Sequence, residues 1–105
     1  MNYTKWREMF RTFFNLEYEV PEMLIRYKIK LREDENITKW DPSWTHLGTN
    51  AEYYRMIEWL KIELTEQNKE RVLRELSKIH VPAEIIEDEV IIYGYRTDVD
   101  YLVYP

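Results

Sequence analysis

The chain contains no cysteine, only two glycines and only four prolines in 105 residues. Without cysteine there are no disulfides and no thiolate metal ligands, which fits a reducing cytoplasm. Low glycine and proline, beside 45 % hydrophobic and 15 % aromatic residues, exclude a disordered or low-complexity chain, because enough apolar surface exists to build a core. Long hydrophobic runs are absent too: nothing approaches the ~18 apolar residues of a membrane span. Lys5, Arg7 and Glu8 stand where a signal peptide would need its apolar stretch. The expectation is a cytoplasmic protein without a membrane partner, folded as one domain over residues 1–105.

Histidine is scarce as well. Only His46 and His80 are present, on different expected elements, so a histidine-based metal site is not expected. The cluster Glu33-Asp34-Glu35-Asn36 has the composition of a calcium loop but neither its alternating register nor its glycine. No HExxH, nucleophile elbow or phosphate-binding loop occurs. These absences predict a fold that needs no cofactor.

Charge is unevenly placed. Residues 1–50 hold eight Lys/Arg and eight Asp/Glu, whereas residues 51–105 hold seven against twelve, so the net charge of −5 belongs to the second half. Glu84, Glu87, Asp88, Glu89, Asp98 and Asp100 face only Arg96 in the sequence. Such a region repels phosphate backbones, which disfavours nucleic acid as a partner, and it suits either a solvated face or docking of a basic protein. The opposite feature is the stripe Arg26, Lys28, Lys30 and Arg32. Four like charges on one strand face need answering: Glu58, Glu63 or the Glu84–Glu89 hairpin can answer them across strands, and an interface with an acidic partner is the alternative.

Hydrophobic periodicity supplies the architecture. Trp6, Phe10 and Phe13 recur at i, i+4, i+7 in a helix over about residues 4–16, capped by Asn2 or Thr4 and barred from continuing by Pro21. Ile25, Tyr27, Ile29 and Leu31 then alternate with the basic stripe as a half-buried strand, followed by a turn at 33–36 and a returning strand at 37–40. Residues 41–52 read as a loop opening on the Asp41-Pro42-Ser43 turn. Met56–Leu64 fits helix or strand, and the alternation of Leu60, Ile62 and Leu64 favours strand. A helix start at Thr65–Asn68 leads into the stripe Val72, Leu73, Leu76, Ile79, ending near His80 before Pro82, with His80 complementing the helix dipole. Residues 83–86 and 90–95 form a hairpin, and Val99, Tyr101 and Val103 alternate as a further edge strand. Gly94 marks a bulge or close backbone approach. The sum is an α+β two-layer sandwich: a mainly antiparallel sheet with two helices on one face. Its expected core is Trp6, Phe10, Phe13, Val72, Leu76, Ile79, Ile25 or Ile29, Ile62 and Ile92.

Trp40-Asp41-Pro42-Ser43-Trp44, Ile57-Glu58-Trp59 and Ile92-Tyr93-Gly94-Tyr95-Arg96 follow one another across residues 37–96. In this they resemble a family of small uncharacterised bacterial proteins with no assigned activity. The resemblance implies a bacterial source and nothing about mechanism.

The densest chemistry lies in Trp40-Asp41-Pro42-Ser43-Trp44-Thr45-His46. Asp41 could orient His46 as a general base, with Ser43 a conceivable nucleophile between two tryptophans at a pocket rim. The plainer reading has Asp41 capping its own turn and the tryptophans lidding the core. Candidate binding residues are therefore Trp40, Asp41, Trp44, His46, Tyr93 and Tyr95. Two functions remain. One is a non-catalytic interaction module, immunity- or antitoxin-like, in which tyrosine and tryptophan anchor a protein partner. The other is a small enzyme or ligand-binding domain built on the 40–46 loop. The apolar tail leaves either a monomer, with the tail on its own sheet, or a two-fold homodimer.

Overall fold

The computed structural model describes residues 1–96. Its elements are α1 (Tyr3–Glu19), β1 (Tyr27–Leu31), α2 (Ala51–Met56), β2 (Ile57–Glu63), α3 (Lys69–Ile79), β3 (Ala83–Ile86) and β4 (Glu89–Tyr93), with 3-10 turns at Pro21–Met23 and Trp44–His46. The four strands form one sheet in the order β1-β2-β4-β3, every neighbour antiparallel. The α+β class and the antiparallel sheet stand as expected. The anticipated edge strand at Val99, Tyr101 and Val103 lies outside the described residues.

Alternation decides which side of the sheet meets the helices. Tyr27, Ile62, Val90 and Ile85 lie in one row across the strands, and Ile29, Leu60, Ile92 and Ala83 in the next. Apart from Ile85, these rows join Trp6, Met9 and Phe13 of α1 and Val72 and Leu76 of α3 in one buried cluster. The α3 stripe is as expected, and its wet side carries a Glu70–Arg74 pair at 2.6 Å, contributing about 0.2–0.5 kcal/mol, while Arg71 and Glu75, 3.1 Å apart, line a cleft against Asn15 and Glu19 of α1. The α1 face is rotated from expectation. Met9 is fully buried, while Phe10 is only half-buried and stacks on Phe14 with centroids 5.5 Å apart. The buried set Trp6, Met9, Phe13, Leu16 follows i, i+3, i+7, i+10, which aims the narrower Met9 at the sheet and turns the Phe10 ring to the flank.

Two further expectations are corrected. The loop at 41–52 ends in a third helix, α2, capped by Asn50, whose Oδ1 accepts from the Glu52 N–H at 2.9 Å. Its buried Tyr54 lies against Trp6 and Tyr3, with centroids 6.1 and 5.6 Å apart, so α2 extends the helical layer. Residues 37–40 form no strand, only isolated bridges at Lys30–Ile37 and, just beyond, Tyr27–Asp41. This segment straps the β1 edge at two points. Met56 belongs to α2, and Ile57 opens β2.

Polar side chains fix the corners. Asn68 is fully buried; its Nδ2 donates to the carbonyls of Leu24 and Glu63, and its Oδ1 accepts from the Thr65 N–H at 2.8 Å. His80 ends α3 in the left-handed region at φ 69, and Lys5 Nζ donates to the Ile79 and His80 carbonyls at 2.8 and 2.6 Å, a cation on the negative end of the helix dipole. Glu87 occupies the β3–β4 turn at φ 55, where glycine would be unstrained. Gly94 is a close-approach site, since its N–H donates to Glu58 at 2.9 Å and a Cβ there would stand 2.2 Å from the Ile57 carbonyl oxygen.

Candidate functional site: the helix-free face and the 40–46 turn

The face away from the helices is built from the other strand register: Lys28, Lys61, Ile91 and Glu84 in one row, Lys30, Trp59 and Tyr93 in the next. Its charges are answered within the sheet. Arg26 meets Glu63 at 2.6 Å and Lys30 meets Glu58 at 2.6 Å, so of the carboxylates open to the basic stripe these two answer it. Lys61 reaches Glu89 at 3.5 Å, and Arg96 reaches Glu84 at 3.7 Å. Cations also lie over rings: Lys28 over Trp40 at 4.4 Å, Lys61 over Trp59 at 4.6 Å, Arg96 over Tyr93 at 4.6 Å and Arg32 over Tyr95 at 4.0 Å. Each such contact contributes roughly 0.5–1 kcal/mol at an exposed site and holds the ring in place.

The proposed binding residues thus divide. Tyr95 stands apart at the α2 end of the sheet, where its hydroxyl donates to the Arg55 carbonyl and its ring edges a cleft with Tyr3, Trp6 and Tyr54. Trp40 and Tyr93 lie on or beside this face, Tyr93 largely buried under Arg96. Trp59 joins them and escaped the sequence reading, although the alternation of Leu60 and Ile62 already put Trp59 in register with Lys61 on the opposite side. Asp41, Trp44 and His46 stay with the turn.

Within the turn, Asp41 Oδ1 accepts from the Ser43 N–H at 2.8 Å, and Asp41 Oδ2 lies 2.8 Å from His46 Nδ1. The five-residue spacing therefore does bring the carboxylate to the imidazole. His46 is exposed, and Ser43 Oγ bonds Thr45 Oγ1 at 2.7 Å, both hydroxyls facing solvent. Trp44 is fully buried: its ring packs on Phe13 and Tyr27 with centroids at 4.8 and 4.4 Å, and its Nε1 donates to the Ile25 carbonyl at 3.0 Å. It therefore anchors the core beneath the turn. Tyr27 donates to the Ser43 carbonyl at 3.1 Å; burial first, and the neighbouring Asp41 carboxylate second, hold its hydroxyl protonated well above the ordinary tyrosine range. On the far side of Pro42 and Ser43 lies a cleft of about 210 Å³, floored by Leu16, Val20 and Ile25 and edged by Glu17, whose carboxylate accepts from the Trp44 N–H at 2.6 Å.

Among the described residues, no helix is long and apolar enough to cross a membrane, and no group of three or more His, Asp or Glu is placed to hold a metal ion. No curated protein and no solved structure matches the chain. One family model does, over residues 1–98, and the chain belongs to that family, the Family of unknown function DUF6678.

Proposed function

We propose that the protein is a non-catalytic interaction module that binds another protein through the helix-free face of its sheet. The observation that carries this reading is the set of three rings, Trp40, Trp59 and Tyr93, each under a lysine or arginine on or beside the same face. Rigid aromatics that lose little conformational freedom on contact, framed by charges, are the composition of binding hot spots. The acidic hairpin at its rim, Glu84 to Glu89, favours a basic partner, and antitoxin-like blocking of a basic protein surface in a cytoplasm is the specific form this reading takes. The test is native affinity purification of the full chain. A stoichiometric protein should co-purify and be lost from a Trp40→Ala/Trp59→Ala variant whose melting curve stays cooperative. Equal retention by parent and variant would remove the face from the argument.

A second reading has its own observation: the Asp41–His46 pair at 2.8 Å adjoins the cleft behind Ser43. As a small-molecule site it calls for a ligand that raises the melting temperature of the parent and not of His46→Ala.

A further inference from the structure

The sheet has two outer strands, and ladder phase tells where their backbone groups point. On β3, the Tyr93 N–H donates to the Pro82 carbonyl at 3.1 Å, so residues in phase with Pro82, namely Glu84 and Ile86, turn their N–H and C=O toward β4. Ala83 and Ile85 therefore turn theirs outward, where no described residue bonds them. The side chains agree. Ile85 and Ile86 are 44 % and 47 % exposed and project from opposite faces of the same strand end. A helix laid on either face would cover one of them; only a chain running alongside β3 covers both.

We propose that β3 is a docking strand that takes up an extended segment of a partner protein by strand addition, the segment carrying lysine or arginine between apolar residues. The inference rests on the reading of the protein as an interaction module and names the element that leads the contact. Charge selects the occupant. Glu84, Glu87, Asp88 and Glu89 surround this edge; Glu84 and Glu89 have cations only at 3.7 and 3.5 Å, and no described cation pairs with Glu87 or Asp88. A second copy pairing β3 to β3 about a two-fold axis would bring these carboxylates together, and the chain's own 97–105 segment brings Asp98 and Asp100. A basic strand meets none of this repulsion and completes the ladder as in other cases of β-strand addition.

The probes are two short peptides, one of alternating valine and lysine and one of alternating valine and glutamate, titrated into the isotope-labelled full chain. The Val–Lys peptide should shift the Ala83 and Ile85 amide resonances saturably and slow their hydrogen exchange, while the Val–Glu peptide leaves them unmoved. Neutralising Glu84, Glu87 and Asp88 to their amides should weaken binding roughly tenfold. Ile85→Pro should abolish binding with little change in melting temperature, because that N–H points off the sheet. If that variant fails to fold, the amide-neutralised variant still decides. Overturning results are an unmoved Ala83 and Ile85, an equal response to both peptides, a dimer in sedimentation that Ile85→Pro dissolves, or binding that appears only when the chain is cut after Arg96. A natural partner retained equally by Ile85→Pro would overturn the docking strand and leave the module standing; no co-purifying protein, with the peptide response intact, would do the reverse.

Discussion

On the β1 edge, Tyr27 exchanges backbone hydrogen bonds with Asp41 at 3.0 and 2.8 Å, the Ile29 carbonyl accepts from the Thr38 N–H at 3.0 Å, and the Ile29 N–H donates to Thr38 Oγ1 at 2.8 Å. On the β3 edge, the corresponding groups of Ala83 and Ile85 have no described partner. The same problem, a row of unpaired ladder groups, is met at one side by a strap and at the other by four residues of strand flanked by carboxylates. A strap closes an edge permanently. Charge and shortness only deter the wrong neighbours, so the β3 side keeps its pairing capacity for a chain of opposite sign. Stability should therefore concentrate at the β1 edge and binding at the β3 edge.

The largest effect follows from the strap's anchor. Trp44→Ala empties a fully buried site beneath the turn and strips the donor from the Ile25 carbonyl, and should cost about 3–5 kcal/mol in urea or thermal unfolding. A cost below about 1 kcal/mol would mean that the strap holds without its anchor, and the contrast between edges would lose its basis.

Next comes pH. Below pH 10 Tyr27 is protonated in both folded and unfolded chains. Above the ordinary value of 10.0 the unfolded chain ionises it while burial and Asp41 keep the folded chain protonated, so stability falls as pH rises through that range. Tyr54, held up to about 12 by burial, acts in the same sense in the helical layer. The difference between parent and Tyr27→Phe isolates the strap: the variant's melting temperature should decline less steeply above pH 10. Parallel declines would detach Tyr27 from the alkaline loss.

Thr38→Val is smaller. It keeps the shape and removes the hydroxyl that accepts the Ile29 N–H, leaving a donor without its partner at a cost of about 1–2 kcal/mol. Amide exchange at Ile29 should accelerate, and exchange at Leu60 on the buried strand should not.

How far the sequence announces these features depends on whether a local period carries them. The alternation of Tyr27, Ile29 and Leu31 and of Leu60 and Ile62, the Val72–Ile79 stripe and the breaks at Pro21 and Pro82 are local, and each marks its element. Part of the answering of the basic stripe was legible for the same reason, because a period of two puts Glu63 with Lys61 on the face of Arg26; Glu58 is out of phase with Glu63 and reaches Lys30 only through the register shift beside Leu31, which no period announces. The Asp41–His46 contact follows from one tight turn. What escaped depends on distant partners. The helix α2 has six residues and one buried side chain, and it holds because Tyr54 meets Trp6. The strap reads as a strand by composition, but it bonds through isolated bridges and one hydroxyl. Phe10 outweighs Met9 in hydrophobic size, yet the rotation of α1 is set by what the sheet can accept. Lys61 over Trp59 and Arg96 over Tyr93 are sequence neighbours, whereas Lys28 over Trp40 and Arg32 over Tyr95 join separate segments, which no spacing in a single sequence displays.

The smallest expected effect is the one that bears most on the open edge. Ile85→Thr retains the β-branched shape that suits a strand and trades an exposed methylene surface for a hydroxyl. Since Ile85 is 44 % exposed and its backbone groups point off the sheet, unfolding stability should change by no more than about 0.5 kcal/mol. The Ile85 amide should exchange as fast as in the parent. Capture of an extended partner should nonetheless weaken, because the apolar cover at the strand end is gone while the ladder groups remain. A stability loss as large as that of Thr38→Val would show that Ile85 already supports the folded chain, which would make the β3 edge a structural boundary like β1 and end the division of labour between the two.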